Sequence, residues 1–427
     1  MREMKDSGVE WIGEIPVEWK CSKIKHHFKI GSGTTPKSDI PSYWDGDIVW
    51  ITPADFKTDD VYVSEGHRNL TQEGFESSTL EIIPAGNIIF SKRAPIGQVV
   101  INSVDLCTNQ GCLTAVPLDK SNVKYYRYAM SVATNQFELA GSGTTFKEIS
   151  ATAFGNFILP SPNVSEQKKI TEYLDRKCAN IDSVIIKQQV IVEKLKEYKI
   201  SFVTEAVTKG LNKNVPLIDS GTAWMGNVPV GWKKYRIANL YDQTSISGRE
   251  DLPILTVSIN SGISDSELDE AEQERQFVRS EDRTKYKRVR PGDLVYNMMR
   301  AWQGAFGAAR VDGMVSPAYV TCRPKNNVQI DSRFIEYLFR TPIAIEEMHR
   351  YSHGVADFRL RLYWNEFRNI QVCLPDINEQ RIIADYIDVM MKKIEYHIRE
   401  RESIIAKLKL YRSSLIYEIV TGKKAVD

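Results

Sequence analysis

The chain repeats itself at a spacing of 213 residues within a total length of 427. Residues 6–20 carry an Asp-Ser-Gly triplet followed by tryptophan, glycine, proline and a Trp-Lys pair, and residues 219–233 carry the same series in the same order. We term these two stretches the opening segments. The same spacing relates Glu166-Gln167 to Glu379-Gln380 and Asp175 to Asp388. Two matched halves in tandem predict that one polypeptide has the geometry of a symmetric dimer.

Each half ends in a pattern typical of a long amphipathic helix. Apolar residues recur every three or four positions through residues 163–213 and again through residues 376–427, with coiled-coil character. Asn163 and Asp376 each precede a glutamate by three residues, which is the form of a capping box. Gly210 and Gly422 mark the expected ends of the two helices.

The helix seam is the set of positions expected to face the partner helix in an antiparallel pair. It contains Leu174, Ile181, Gln188, Leu195, Phe202, Ile387, Ile394, Arg401, Leu408 and Leu415. Gln188 and Arg401 are polar, and polar side chains within a seam fix helix register at a cost in stability. A second interpretation is equally open, in which both side chains point to solvent because the helix drifts.

The stretches before the helices are rich in strand patterns separated by glycine, proline and asparagine. Over roughly 35–155 and 248–370 the two halves barely align. The expected fold class is α+β, with two strand-rich domains joined by two long antiparallel coiled-coil helices and an internal pseudo-twofold duplication. The expected boundaries are 1–162, 163–213, 214–375 and 376–427.

Composition and missing motifs exclude several classes of protein. The net charge of +1 is low for a protein that binds nucleic acid mainly through phosphates, so such a role requires local patches or a basic partner. Neither a transmembrane run nor a signal-peptide core is present, and the scattered cysteines favour a cytoplasmic protein. Phosphate-loop, dinucleotide and amino-methyltransferase motifs are missing, so we expect no catalytic residues and no metal site.

Cations and amides near predicted turns are the stronger signal. Arginine can bond guanine and glutamine can bond adenine, whereas other basic side chains contact phosphates. In the first half the candidates for DNA contact are Lys92, Arg93, Gln98, Gln110, Thr144 and Lys147. In the second half they are Arg283, Lys285, Lys287, Arg288, Arg300, Gln303, Arg359 and Arg361. The alternatives are solvated loops, one of them balanced by the acidic residues 265–274, and plain structural turns.

The order of these motifs resembles the specificity subunit of type I restriction-modification systems. The resemblance rests on the opening segments, on Tyr-Trp-x-Gly-Asp-Ile-x-Trp at 43–50, on Asn-Gln-Gly at 109–111 and on Gly-Ser-Gly-Thr-Thr at 141–145. It also rests on Leu-Pro followed by Glu-Gln at the start of each predicted helix. The resemblance covers essentially the whole chain.

That resemblance implies a non-catalytic subunit with two target-recognition domains, each followed by a spacer helix, that recognises an asymmetric bipartite site in double-stranded DNA. It implies two methyltransferase subunits as partners, together with restriction subunits. S-adenosylmethionine, ATP and magnesium are then expected on those partners, and no cofactor is expected in this chain. The second half lacks the Tyr-Trp stretch and the Gly-Thr-Thr turn, which implies two unlike half-sites. The alternative function is a non-catalytic tandem scaffold whose globular parts bind protein or carbohydrate.

Overall fold

The computed structural model describes residues 2–56, 61–119, 121–143, 147–259, 261–267, 285–354 and 360–426. The chain divides into two compact units. Unit 1 contains residues 1–188 and 403–427, and unit 2 contains residues 189–402. Each unit therefore combines one globular part with a portion of both long helices.

Unit 1 begins with short strands and small helices. Its strands are β1 (Met4–Asp6), β2 (Glu14–Pro16), β3 (Lys20–Lys23), β4 (Phe28–Ser32), β5 (Trp44–Ile51), β6 (Tyr62–Val63), β7 (Arg68–Leu70), β8 (Ile88–Ser91), β9 (Val99–Asn102), β10 (Cys107–Thr108), β11 (Cys112–Pro117) and β12 (Ile158–Ser161). Its helices are α1 (Gln72–Glu76), α2 (Val123–Ser131), α3 (Thr134–Ala140) and α4 (Ala151–Asn156). The long helix α5 (Val164–Lys209) follows and continues into unit 2.

Unit 2 follows the same plan. Its strands are β13 (Leu217–Asp219), β14 (Asn227–Pro229), β15 (Lys233–Arg236), β16 (Tyr241–Thr244), β17 (Val257–Ser258), β18 (Gly262–Ile263), β19 (Lys287–Val289), β20 (Leu294–Asn297), β21 (Phe306–Ala308), β22 (Gly313–Val315), β23 (Tyr319–Pro324) and β24 (Gln371–Leu374). Its helices are α6 (Ile237–Leu240), α7 (Ser332–Phe339), α8 (Pro342–Arg350) and α9 (Trp364–Phe367), and the long helix α10 (Ile377–Val420) closes the chain.

Both units share one sheet framework. The order β4-β11-β8-β9 in unit 1 corresponds to β16-β23-β20-β21 in unit 2, and every neighbouring pair within these two series of four strands is antiparallel. The pairs β1-β2 and β12-β3 likewise correspond to β13-β14 and β24-β15. Unit 1 adds β6 and the sheet β10-β5-β7, whereas unit 2 adds β17-β18 and β19-β22. The duplication therefore continues through segments in which the sequences no longer align.

The helix ends confirm the positions predicted from the two glycines. α5 ends at Lys209 and α10 at Val420, and Gly210 and Gly422 have positive φ angles of 69° and 74°. A Cβ atom added to Gly422 would lie 2.3 Å from Cδ of Pro16. Glycine is therefore required both for the left-handed backbone and for the close approach of the first opening segment.

The predicted capping boxes form only in part. Asn163 Oδ1 accepts a hydrogen bond from the Glu166 amide at 2.9 Å, and Asp376 Oδ1 accepts one from the Glu379 amide at 3.1 Å. The Glu166 carboxylate, however, accepts from Trp19 Nε1 at 2.8 Å. The duplicated glutamate of the first half therefore ties the opening segment to α5.

The long helices pack antiparallel within each unit. In unit 1 the start of α5 shares a core with the end of α10, and Arg412 Nε lies 2.9 Å from Asp182 Oδ1. In unit 2 the end of α5 shares a core with the start of α10, and Lys199 Nζ lies 2.9 Å from Glu395 Oε1. Each residue of the second ion pair lies 213 positions from its counterpart in the first. All seam positions, with Gln188 and Arg401 among them, are buried or half-buried.

A duplicated glutamine fastens each globular part to its helix. Gln167 Oε1 accepts from the Asn122 amide at 2.9 Å, and Gln380 Oε1 accepts from the Asp331 amide at 3.0 Å. Each Nε2 donates to the carbonyl of the proline that precedes its helix, at 2.9 Å in both units. Asn122 and Asp331 are the N-caps of α2 and α7. One side chain thus joins two helix starts in each unit.

A duplicated aspartate adds a second connection about two helical turns further along the long helix. Asp175 accepts a hydrogen bond from Tyr128 Oη at 2.8 Å and forms an ion pair with Lys124 at 2.7 Å. Asp388 accepts from Tyr337 Oη and lies 2.9 Å from Arg333 Nη1. The matched residues of the sequence repeat therefore hold the same contacts in both units.

We predict that Gln167→Ala and Gln380→Ala each lower the free energy of unfolding of their unit by about 1–3 kcal/mol. The two residues are only 2% and 3% exposed, and each substitution leaves a part-buried amide and a buried carbonyl without their partner. Chemical denaturation followed by circular dichroism measures the change. Gln189→Ala, on an exposed position of α5, is the matched control. Equal stability of all three variants would contradict the anchoring role.

Candidate nucleic-acid interface

Four loops of unit 1 meet at one edge of its main sheet. β4 ends at Ser32, which pairs with Leu113 of β11, and β8 ends beside the first residue of β11. Loops 33–35, 92–98 and 109–111 therefore leave the sheet on the same side. Loop 141–149 joins them because the Ile149 amide donates to the Lys92 carbonyl at 3.1 Å. We term this surface the unit 1 loop edge.

Two predicted cations of the loop edge share one carboxylate. Lys92 Nζ lies 2.9 Å from Glu148 Oε1, and Arg93 Nη1 lies 3.6 Å from Glu148 Oε2. The Lys92 amide also donates to the Gly111 carbonyl at 3.0 Å, which brings the loops 92–98 and 109–111 together. Burial, together with the charge of Asp55, raises the pKa of the Cys112 thiol, and the charges of Lys92 and Arg93 lower it in part.

Gln110 lies at the same edge with its side chain exposed. Thr35 Oγ1 donates to Gln110 Oε1, which leaves the Nε2 group of the amide as a donor. The backbone beneath is tightly packed, since a Cβ atom on Gly33 would lie 1.8 Å from the Thr108 carbonyl oxygen. Gln110 and Thr35 therefore extend from closely packed backbone.

The other predicted residues of unit 1 are less directly engaged. Lys147 is exposed beside Gly141, and Gln98 is half-buried with a buried Oε1 that has no hydrogen-bond partner among the described residues. Thr144 lies outside the residues that the structure describes. The structure thus brings Lys92, Arg93, Gln110 and Lys147 to one edge of the sheet.

Unit 2 has an equivalent edge built from different side chains. β20 ends at Asn297, which pairs with Tyr319 at the start of β23, so loop 298–305 occupies the place of loop 92–98. Arg300 and Gln303 lie half-buried in this loop. The exposed Arg361 joins them because the next amide, that of residue 362, donates to the Met298 carbonyl at 2.9 Å. These three predicted residues therefore lie at one surface, the unit 2 loop edge.

The basic stretch before β20 is more strongly bound to the fold than the sequence predicts. Lys287 Nζ donates to the Tyr319 carbonyl at 2.6 Å, and burial lowers the pKa of its ammonium group. Arg288 lies 3.0 Å from Asp312, and Lys285 is exposed just before β19. A phosphate contact by Lys287 remains a prediction, and it would use the donors that the bond to Tyr319 leaves on the ammonium group.

Two further predicted residues, Arg283 and Arg359, lie outside the described part of the chain. Sequence reasoning missed Thr35 and Glu148, which complete the unit 1 loop edge. Both belong to loops that are far apart in the sequence, and only the strand register brings them to Gln110 and Lys92. The one available signal was the position of Glu148 beside a predicted cation.

The described residues contain no group of three or more His, Cys, Asp or Glu side chains placed to hold a metal ion. Across the same described ranges, every helix is too short or too polar to span a lipid bilayer.

Comparison with known proteins shows what the chain is similar to. Residues 16–191 match the family model described as type I restriction modification DNA specificity domain. The type I restriction enzyme MjaIX specificity subunit of Methanocaldococcus jannaschii is 36% identical over 190 residues, which are 43% of this chain and 43% of that relative. The type I restriction enzyme EcoBI specificity subunit of Escherichia coli is 23% identical over 336 residues, 74% of this chain and 69% of the relative. The chain is similar to the specificity subunits of type I restriction enzymes.

A solved structure supports the fold of this chain. A chain from work on complex assembly and conformational transition of the type I R-M system matches with a TM-score of 0.66. The match covers 96% of this chain and 99% of that chain at 14% identity, so it establishes the fold alone. The family model ends at residue 191, and the match to the MjaIX relative spans less than half of that relative's length.

Proposed function

We propose that this chain is the non-catalytic DNA-sequence-specificity subunit of a type I restriction-modification complex. The observation that carries the proposal is that two units place loop edges on one shared sheet framework while the side chains on those edges differ. Cations fix a protein on the phosphate backbone, and arginine and glutamine distinguish base edges in the major groove. Two unlike edges select two unlike half-sites, so the recognised site is asymmetric and bipartite.

The proposed partners are two copies of one methyltransferase subunit, with restriction subunits completing the complex. Tyr198 and Tyr411 support two equivalent docking positions, since they lie 213 residues apart on the long helices and are 50% and 55% exposed. Large exposed aromatic side chains are typical of protein interfaces. S-adenosylmethionine, ATP and magnesium would be bound by the partners, and basic partner surfaces would offset the chain's net charge of only +1.

Mapping of methylated adenines tests the proposed function directly. A host that carries this chain and its methyltransferase should show one asymmetric, bipartite methylated motif. Gel shifts with the assembled complex should then show preference for that motif over a scrambled duplex. Absent or sequence-independent binding by the complex would favour a tandem scaffold for protein or carbohydrate instead.

We predict that Arg300→Ala relaxes specificity at one base pair of the unit 2 half-site. A bidentate arginine–guanine contact is worth about 1–3 kcal/mol of discrimination, so the preference at that pair should fall by roughly 5- to 150-fold. Competition binding against single-base variants of the mapped site measures it. Arg368→Ala removes an exposed arginine of the same unit and should leave every preference unchanged. Equal loss on all sequences would make Arg300 a phosphate contact.

We predict that Tyr198→Ala and Tyr411→Ala each weaken the docking of one methyltransferase subunit, and that the double variant weakens both. Truncation of a central interface aromatic costs about 2 kcal/mol or more, a roughly 30-fold loss of affinity. Native mass spectrometry across a concentration series measures the stoichiometry. Tyr396→Ala is the control, because Tyr396 is 61% exposed while the residue 213 positions earlier is a serine. Full occupancy in the double variant would exclude this docking surface.

A further inference from the structure

Glu148 places a negative charge at the unit 1 loop edge, where the proposed function requires positive charge. Its two oxygens lie 2.9 Å from Lys92 Nζ and 3.6 Å from Arg93 Nη1. One carboxylate therefore offsets both adjacent cations of this edge. The Lys92 side chain is only 14% exposed, and a phosphate competes with the carboxylate for its ammonium group.

The backbone fixes this carboxylate in place. Ser142 and Glu148 exchange two backbone hydrogen bonds of 2.9 Å, and Arg93 forms an antiparallel bridge with Glu148. The next residue, Ile149, is fully buried in the core of unit 1 and donates its amide to the Lys92 carbonyl. The position of Glu148 beside the cations is therefore part of the fold rather than a chance contact of a loose loop.

A fixed counter-charge affects the two kinds of DNA contact differently. Phosphate contacts are the same on every sequence, whereas base contacts such as those available to Gln110 form only on the matching half-site. A carboxylate that competes with phosphates reduces the first kind and leaves the second unchanged. The affinity for every sequence then falls, and DNA that offers no matching base contacts is bound weakly.

We propose that Glu148 is an internal counter-anion that weakens the binding of unit 1 to DNA of any sequence, so that tight binding depends on base contacts. This inference rests on the proposed function and assigns an affinity-limiting role to a residue that need not touch a base. Removal of the charge frees Lys92 and Arg93 for phosphates. Each additional phosphate contact steepens the slope of log K against log[salt] by about 0.9, so one or two freed cations steepen it by roughly 0.9–1.8.

The test compares the wild-type complex with Glu148→Gln in the full-length chain bound to methyltransferase. Fluorescence anisotropy measures affinity for a duplex with the mapped methylation site and for a scrambled duplex, over a salt series from about 50 to 200 mM. Glu148→Gln should bind the scrambled duplex several-fold more tightly. One extra phosphate contact makes that binding roughly 3.5-fold more salt-sensitive across this range.

Two further variants separate the counter-anion from simpler effects. Glu138→Gln removes an exposed carboxylate of the same unit and should change neither the selectivity nor the salt slope. In a Lys92→Gln, Arg93→Gln background, Glu148→Gln should lose its effect, because no cation is freed. A purely structural role of Glu148 predicts weaker binding to both duplexes with no steeper salt slope.

The outcomes are distinguishable. Tighter, more salt-sensitive non-specific binding by Glu148→Gln alone supports the counter-anion. Unchanged or weaker binding by Glu148→Gln, in a complex whose wild type selects the mapped site, overturns this inference and leaves the proposed function intact. A wild-type complex that binds without sequence preference overturns both.

Discussion

The buried amide of a duplicated glutamine is the interaction on which each unit depends. Gln167 and Gln380 bond the start of a long helix to the capped start of a shorter one, α2 or α7. Apolar contacts alone tolerate sliding of one element over another, whereas a buried amide with directional bonds on both sides does not. The globular part therefore has one orientation on its helix, and the loop edge, carried by the same sheet, inherits that orientation.

That constraint explains why the framework and the loops differ in their freedom to change. The core strands β8 and β11, like β20 and β23, need only apolar side chains facing inward and an antiparallel register. The loops beyond the ends of these strands do not attach the globular part to its long helix. Lys92 and Arg93 occupy the loop after β8, and Arg300 and Gln303 occupy the loop after β20. Different chemistry is therefore displayed at the same place on the same scaffold.

Much of this architecture was predictable from the sequence, because the repeat has a fixed spacing where the geometry of helices and anchors allows no insertion. The repeat of 213 residues is lost where the loops differ in length. β20 begins at Leu294, only 206 residues after β8 begins at Ile88. An alignment at the fixed spacing therefore does not detect the common sheet. The roles of Glu148 and Lys287 were not predictable. Each depends on strand register, which brings a carboxylate or a carbonyl from a distant segment to the cation.

The balance of charge at the two edges has a consequence for the proposed complex. In unit 1 Lys92 faces a carboxylate, and in unit 2 Arg288 faces Asp312 while Lys287 is bonded to a carbonyl. These contacts occupy cations that could otherwise bind phosphates, and the net charge over 427 residues is only +1. In the proposed complex, this subunit would contribute discrimination between sequences, and its partner subunits would contribute most of the affinity. Such a division allows the loops to change their specificity without changing how tightly the whole complex holds DNA.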